Sequence, residues 1–219
     1  MRLNKYIAAS TTLSRRNADD AIARGRVTVN GTTAGQGMNV TESDVVTLDG
    51  HVLTPVVKAR TIQLNKPRGY VVSRNGQGSK TIYDLIPQQY HDLHPVGRLD
   101  KDSSGLLLLT NDGQLNQELT HPSKQKVKLY EVSLDTPLQP LHQQMISDHG
   151  LMLEDGLSRL QLERVDENRL QWLVTMHEGR NRQIRRTFNV LGYTVSRLHR
   201  IRFGDYVLAD LANGKMREL

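Results

Sequence analysis

The chain has 219 residues, enough for one large or two modest domains with hydrophobic cores of their own. It contains no cysteine, which excludes disulfide bonds, thiolate metal sites and a cysteine nucleophile, and no apolar stretch approaches the roughly 20 residues of a membrane-spanning helix. The formal net charge of +6 favours a polyanionic partner.

Two short helices are predicted at the start of the chain. The apolar residues Leu3, Tyr6 and Ile7 have helical spacing. A second helix is predicted to begin after an N-cap at Ser14 and to end at Gly25, because serine is a favoured N-cap and glycine a favoured terminator. The inner face of this second helix is expected to carry Ala18, Ala21 and Ile22.

Short strands complete this first region. Residues 26–29 alternate as a strand and meet Asn30-Gly31, a strong signal for a tight turn. A similar pattern recurs over residues 45–53. Together these elements predict a small α+β domain over residues 1–53, followed by a linker over residues 54–60.

Cations are clustered on the two predicted helices and are opposed by few acids, namely Asp19 and Asp20. The cations are Arg2, Lys5, Arg15, Arg16, Arg24 and Arg26. They could form a solvated face, but their clustering favours a phosphate-binding surface. Residues 3–10 and 14–31 resemble the alpha-L motif, the small RNA-binding module of the ribosomal protein S-four type, over roughly the first fifty residues. The resemblance implies that five of these cations contact RNA, namely Arg2, Lys5, Arg15, Arg16 and Arg24.

Residues 61–219 are predicted to form a second domain in which strands outnumber helices. Strands are predicted at 61–64, 106–109, 128–134, 158–165 and 170–174. Helices are predicted at 81–85, 138–147 and 182–191. Several strands look like antiparallel partners, so the fold class is α+β with a mixed, mainly antiparallel sheet.

Two segments of this second domain place charged residues beside predicted strands. In the basic segment 65–69, Lys66 follows a strand and is either a contact for RNA or part of a simple loop. In the segment 97–113, Arg98 and Asp100 precede a small-residue turn and a run of four leucines. A continuous apolar run predicts a buried strand, which would hold charged groups at its mouth in fixed positions. An ion pair that closes the strand end is the alternative.

A third segment is rich in arginine. Arg182, Arg185 and Arg186 have the i, i+3, i+4 spacing that places side chains on one helix face. Seven arginines and no acid occur between Arg180 and Arg202. Because a solvated helix normally mixes charges of both signs, this stretch favours contact with a nucleic acid.

The carboxylates of Asp100 and Asp102 leave more than one chemistry open. If both residues were on a strand they would face the same side, as an acid and base pair of the glycosidase type. Metal-dependent phosphodiester cleavage would need more clustered carboxylates than the sequence offers. The eight histidines are scattered and no glycine-rich cofactor loop is present, so neither a metal nor a cofactor is expected.

Four ordered motifs resemble the RsuA/RluB family of ribosomal RNA pseudouridine synthases. They are Asn-Lys-Pro-x-Gly at 65–69, Gly-Arg-Leu-Asp-x-x-Ser-Ser-Gly-Leu-Leu at 97–107, Lys-x-Tyr-Glu-Val at 128–132 and Glu-Gly-Arg-Asn-Arg-Gln-Ile-Arg-Arg at 178–186. The resemblance spans nearly the whole chain, including the N-terminal module. It implies an isomerase that detaches uracil from its ribose and rejoins it through C5, without a metal or cofactor.

The resemblance also implies roles for four site residues. Asp100 corresponds to the essential aspartate, which either attacks the sugar or removes a proton, and Arg98 to the arginine that fills the gap left by a flipped uridine. Tyr130 matches the tyrosine that packs against the flipped base and is proposed to assist proton removal. Arg185 matches the arginine that pairs with the catalytic carboxylate, and Asp102 is left with a supporting role.

The expected partner is ribosomal RNA or an assembling ribosomal subunit, which Lys66, Arg182 and Arg186 are expected to contact together with the N-terminal cations. The arginine-rich stretch looks more like the large-subunit enzymes, with small-subunit RNA as the alternative. A non-catalytic RNA-binding assembly factor and an RNA glycosidase that hydrolyses the bond are further alternatives. The protein is expected to be a cytoplasmic monomer without a membrane segment.

Overall fold

The computed structural model describes residues 1–41, 43–54 and 59–219, and the chain divides into two compact units, Met1–Ala59 and Arg60–Leu219. The predicted linker includes residues 55–58, which lie outside the described residues. Arg60, which the sequence assigns to this linker, belongs to the second unit.

A search of the described residues finds no helix that is both long and apolar enough to cross a membrane.

The first unit combines two helices with a four-stranded antiparallel sheet. Its elements are α1 (Leu3–Ser10), α2 (Arg15–Ala23), β1 (Val27–Val29), β2 (Thr32–Thr33), β3 (Val46–Leu48) and β4 (His51–Val52). The strand order is β2-β1-β3-β4. The apolar residues predicted to face inward on both helices are buried in one core with the strands, which confirms the predicted helical faces.

Local sequence signals set the limits of these elements. The side-chain oxygen of Ser14 accepts a hydrogen bond from the backbone N–H of Asn17 at 3.1 Å, and it is the N-cap of α2. Asn30 and Gly31 have φ angles of 51° and 81°. Positive φ at both central residues is the geometry of a tight hairpin turn, so the predicted turn is confirmed.

The second unit is built on a nine-stranded sheet. In chain order the strands of the unit are β5 (Thr61–Lys66), β6 (His94–Pro95), β7 (Ser104–Thr110), β8 (Lys128–Leu134), β9 (Leu151–Leu153), β10 (Gly156–Ser158), β11 (Gln161–Arg164), β12 (Gln171–Met176), β13 (Val195–Phe203), β14 (Tyr206–Val207) and β15 (Met216–Glu218). Its helices are α3 (Gly113–Thr120), α4 (Pro140–Gln144) and α5 (Gln183–Val190), with 3₁₀ turns at Ile82–Leu85, Gln88–Tyr90 and Pro122–Lys124 and a π-helical turn at Met145–His149.

The large sheet has the order β11-β12-β8-β13-β7-β5-β15, with β14 beside β13 and β6 beside β7. Strands β13 and β7 are parallel, whereas the other paired strands of this sheet are antiparallel. Strands β9 and β10 form a separate antiparallel pair. The predicted α+β class with a mixed, mainly antiparallel sheet is therefore confirmed.

The run of four leucines is buried on both faces of the sheet. Leu107 and Leu109 belong to the main core, whereas Leu106 and Leu108 belong to a second core on the other face. All seven residues of β7 are buried. Because side chains alternate along a strand, a strand covered on both faces needs a continuous apolar run, and this confirms the predicted buried strand.

Three predicted elements differ from the structure. The single strand predicted over 158–165 is split, because Ser158 pairs within the β9–β10 hairpin and β11 begins only at Gln161. The helix predicted over 138–147 changes from α to π geometry after Gln144. The small-residue turn predicted before the leucines is already part of strand β7, which begins at Ser104.

Gly105 allows strands β7 and β13 to approach closely. It has a φ angle of 105°, and a Cβ atom added there would lie 2.2 Å from the carbonyl oxygen and 2.6 Å from the backbone nitrogen of Arg200. Both the backbone conformation and the space therefore require glycine. Gly105 thus determines how closely β7 and β13 pack against each other.

We expect Gly105→Ala to lower the free energy of unfolding by about 3 kcal/mol or more, because strain and overpacking add at this position. Chemical denaturation followed by the fluorescence of Trp172, the single and buried tryptophan, measures the change. Gly35→Ala is the control, since its Cβ would meet nothing within 4 Å and its φ is not positive. Equal stability of the two variants would contradict this account.

Candidate active site

The loop of residues 96–103 connects β6 to β7 and is held by a buried ammonium group. Lys66, the last residue of β5, is fully buried. Its Nζ donates hydrogen bonds to the carbonyl oxygens of Pro67 at 3.0 Å, Asp100 at 3.0 Å and Ser103 at 2.7 Å. The N–H of Gly69 adds a 2.7 Å bond to the carbonyl of Lys101. The backbone of Asp100 is thereby fixed against the end of β5.

The prediction that Lys66 contacts RNA is wrong, because the residue is fully buried and its ammonium donates hydrogen bonds to three backbone carbonyls, two of them in the loop. Burial lowers the pKa of Lys66 to about 8, while the negative charges of Asp100 and Asp102 oppose that shift. Lys66 is thus a positioning residue. The sequence places it in a basic turn, but Asn65 and Lys66 are the last residues of the strand.

Two arginines from the start of α5 hold the same loop on its other side. Arg182 donates to both carboxylate oxygens of Asp102, at 3.0 Å each, and its Nη1 lies 3.7 Å from Oδ2 of Asp100. Arg185 donates to the backbone carbonyls of Asp102 at 3.1 Å and Val195 at 2.7 Å. Its Nε also lies 3.3 Å from the Asp102 carboxylate. Helix α5 is therefore tied to the loop that carries Asp100.

These contacts correct the predicted pairing of Arg185 with the catalytic carboxylate. Arg185 forms its ion pair with Asp102, and the ion pair of Asp100 is with Arg182. The hydrogen bond from Arg182 is the main cause that lowers the pKa of Asp102. Asp102 is thus a structural anchor for both arginines, which is more than the supporting role assigned to it from the sequence. Neither aspartate is on a strand, so the same-side strand pairing does not occur.

A cavity of about 510 Å³ opens beside this loop. Asp100 and Arg98 line it from the loop, Tyr130 and Lys128 from β8, and Arg200 from β13. Tyr130 is 7% exposed and lies opposite Arg200 in the sheet register. Further apolar lining comes from Leu99, Ile184, Leu198 and Phe203. The cavity therefore combines a carboxylate, an aromatic wall and several cations.

The predicted site residues differ in how much freedom they have. Arg98 is exposed, and within the described part of the chain its guanidinium forms no hydrogen bond or ion pair. The side chain of Asp100 is 34% exposed. Its carboxylate lies 3.7 Å from the guanidinium of Arg182. Tyr130 is held in the middle of the sheet, between β12 and β13. An exposed cation, a partly exposed carboxylate and a buried aromatic ring thus line one cavity.

Arg186, which is predicted to contact RNA, is paired with an acid of the protein. It forms an ion pair with Asp155 at 2.6 Å, and Arg180 binds the same carboxylate at 2.9 Å. Arg182 is likewise paired with Asp102. Asp155 lies 31 residues from Arg186 and Asp102 lies 80 residues from Arg182, so a local count of charges could not reveal these two pairings.

The N-terminal cations fit the prediction more closely. Arg2, Arg15, Arg16 and Arg24 are exposed and Lys5 is half-buried. Within residues 1–41 and 43–54, none of these five side chains forms an ion pair. Arg26 differs, because its guanidinium is paired with Asp49. Charges without an acidic partner remain available to phosphate groups.

Sequence reasoning did not assign Lys128 or Arg200 to the site, although Arg200 belongs to the arginine-rich stretch expected to contact nucleic acid. Lys128 shares its strand face with Tyr130 and Val132, and Arg200 shares its face with Leu198. The two-residue period of these strands would have placed both cations on an inward face. Burial is the main cause that lowers the pKa of Lys128, and the nearby charge of Arg200 adds to the effect.

Comparison with known proteins gives consistent matches. The family described as RNA pseudouridylate synthase matches residues 60–190, and the S4 domain matches residues 1–46. The chain is 37% identical over 231 residues to ribosomal large subunit pseudouridine synthase B of Pseudomonas aeruginosa, covering 100% of this chain and 59% of that protein. It is 36% identical over 225 residues to ribosomal small subunit pseudouridine synthase A of Pasteurella multocida, covering 100% and 96%.

A solved structure supports the same grouping. The chain matches a crystal structure of a pseudouridylate synthase with a TM-score of 0.71 and 32% sequence identity. The match covers 100% of this chain and 96% of the other. The likeness therefore includes both units of the chain and not only the sheet that carries the cavity.

The buried ammonium of Lys66 leads to a prediction about stability. Its pKa falls from an ordinary 10.5 to about 8 in the folded protein, so between these pH values the unfolded chain binds a proton that the folded chain does not. Stability therefore rises with pH through this window. As the pH rises through this window, the free energy of unfolding of the unaltered protein should increase relative to that of Lys66→Met. The increase should be about 1.4 kcal/mol for each unit by which the pKa of Lys66 differs between the folded and unfolded states.

Urea unfolding of both proteins at several pH values between about 7 and 10.5 measures this difference. Lys124→Met, which removes an exposed lysine, controls for the loss of one positive charge. The difference in the free energy of unfolding between the unaltered protein and Lys66→Met could instead stay constant over the whole pH range. That result would show that the ammonium is not desolvated as described.

Proposed function

Because the chain belongs to the RNA pseudouridylate synthase family and carries an S4 domain, we propose that it converts a specific uridine of ribosomal RNA to pseudouridine. The enzyme is an isomerase. The bond between C1′ and N1 of the uridine breaks, and a bond between C1′ and C5 of the same uracil replaces it. The reaction involves no net redox change or hydrolysis, so its needs are positioning, charge stabilisation and proton transfer.

The observation that carries the proposal is the placement of Asp100. Its backbone is fixed by Lys66, and its partly exposed side chain lines the same cavity as Tyr130. From this position the carboxylate either attacks C1′ or removes the proton from C2′ as the base leaves. Both routes need an accessible carboxylate oxygen, and among the described residues the only ion pair of Asp100 is its 3.7 Å contact with Arg182.

Arg98 and Tyr130 are assigned to the handling of the flipped nucleotide. Removing a uridine from its stack costs on the order of a few kcal/mol. The exposed guanidinium of Arg98 can enter the gap left in the RNA, because no protein contact holds it among the described residues. Tyr130 provides a rigid wall against which the uracil packs while it rotates, and its phenol is close enough to the same space to assist loss of the C5 proton.

Ribosomal RNA as the substrate follows from the named relatives. Large-subunit and small-subunit enzymes match this chain at 37% and 36% identity, so both RNAs are represented among similar proteins. We favour the large subunit because of the arginine-rich stretch that ends near Phe203. The N-terminal cations would bind phosphates of the RNA or of an assembling subunit. We further propose that the enzyme acts in the cytoplasm as a monomer.

Asp100→Asn is expected to abolish pseudouridine formation, because an amide can neither attack C1′ nor accept a proton, while RNA affinity stays within a few-fold. Chemical mapping of pseudouridines in ribosomal RNA from cells with and without the gene identifies the target uridine. Single-turnover assays on a short RNA containing it then compare the variants. Asp148→Asn, which removes an exposed carboxylate away from the cavity, should keep full activity.

Two results would contradict this assignment. Conversion of the uridine at an unchanged rate by Asp100→Asn would remove Asp100 from the reaction. Release of free uracil by the unaltered protein, in place of pseudouridine, would identify a hydrolytic glycosidase instead.

The N-terminal cations give a separate prediction on binding. Replacing Arg15 and Arg16 together by glutamine should weaken RNA binding and reduce the slope of log K against log salt by about 1.4, since each phosphate contact on a single strand contributes roughly 0.7. Arg26→Gln is the matched control, because Arg26 is already paired with Asp49. An unchanged slope for the double variant would remove Arg15 and Arg16 from the RNA-binding surface.

A further inference from the structure

Arg200 is a buried cation whose hydrogen-bonding capacity is not used up by the protein. The residue is 2% exposed and lies on β13 facing the cavity. Its Nε donates a 2.8 Å hydrogen bond to the carbonyl oxygen of Leu106. Its Nη2 is buried and, within the described part of the chain, has no hydrogen-bond partner. A guanidinium taken out of water with an unpaired donor is costly unless a ligand completes it.

The surroundings of Arg200 are positive and apolar. Its guanidinium carbon lies 4.7 Å from the centre of the Phe203 ring, and the ammonium of Lys128 lies 5.3 Å from the centre of the same ring. No carboxylate in the described residues forms an ion pair with Arg200. Glu178 acts on Lys128 through its charge and through a backbone contact. The cavity floor therefore offers hydrogen-bond donors and net positive charge beside Tyr130.

We propose that Arg200 binds a carbonyl oxygen of the flipped uracil and stabilises the negative charge of the base while it is detached, an inference that rests on the proposed function. When the N1–C1′ bond breaks, its electron pair goes to the uracil and spreads over the two carbonyl oxygens. Arg200 donates a hydrogen bond to one of them and transfers no proton. The base is thereby held in the cavity until C5 forms its bond to C1′.

A base oxygen fits Arg200 better than a backbone phosphate does. Arg200 is at the floor of the cavity, in register with Tyr130, and is 2% exposed. Arg98 and Arg182, which are exposed and line the same cavity, are within easier reach of phosphates that stay near the surface. Only a nucleotide turned into the cavity brings its base to the floor. A guanidinium also suits this task, since Nε is anchored to Leu106 and the planar fork directs the remaining donors.

The test compares two RNAs that differ only at the target nucleotide, one with uridine and one with an abasic site. The unaltered protein should bind the uridine RNA more tightly. In Arg200→Gln most of this difference in affinity should disappear, while the affinity for the abasic RNA stays within about two-fold. The single-turnover rate should fall by about 100-fold, because a charge-assisted hydrogen bond in a dry site is lost. Arg164→Gln, an exposed arginine on β11, is the matched control and should behave as the unaltered protein.

Arg200→Lys serves as a second variant if Arg200→Gln does not fold. The lysine keeps the positive charge but lacks the planar set of donors of the guanidinium. It should show a smaller preference for the uridine RNA and a rate reduced about 10-fold. Equal loss of affinity for both RNAs would show that Arg200 binds a phosphate. An unchanged single-turnover rate and an unchanged preference for the uridine RNA in the folded variants would show that Arg200 does not contact the base. Both outcomes overturn the inference. Absence of pseudouridine with the unaltered protein would instead count against the proposed function.

Discussion

The site depends on one buried ammonium group. Lys66 contributes three hydrogen bonds to carbonyl oxygens, and two of these belong to the loop that carries Asp100. An ammonium enclosed in the protein is unfavourable by itself, so its retention requires that its donors be satisfied with good geometry. These hydrogen bonds therefore restrict the backbone conformation of the loop as well as the position of the lysine side chain. The backbone of Asp100 is therefore rigid, although its carboxylate faces an open cavity.

A second set of charges acts on the same loop from α5. Asp102 binds Arg182 through both oxygens and lies close to Arg185. Because Asp102 takes the short contacts, Asp100 has only a longer ion pair with Arg182 in the described structure. The two aspartates thus have separate tasks. One holds the arginines in place, and the other keeps its side chain partly exposed at the cavity.

Patterns along the chain predict the fold well but not the partners of its charges. Periodic apolar residues and turn signals identify α1, α2 and the buried strand β7, because these depend on neighbours in sequence. Arg182 binds an acid 80 residues away, and Lys66 binds backbone carbonyls that no sequence pattern marks. Asp100 was singled out from its place before the leucine run, and its role and that of Tyr130 were assigned from a resemblance, whereas the contact of Arg185 with Asp102 required the structure.

The charges around the cavity suggest what the site is built to accept. Asp100 and Glu178 line the cavity together with a larger number of cations, among them Arg182, Lys128 and Arg200. Burial lowers the pKa of Lys128, and the neighbouring positive charge of Arg200 lowers it further, which means that the two cations repel each other. Negative charge that arrives or develops in the cavity relieves this repulsion. A base that leaves its sugar with an electron pair supplies such charge at the moment of bond cleavage, when stabilisation lowers the barrier most.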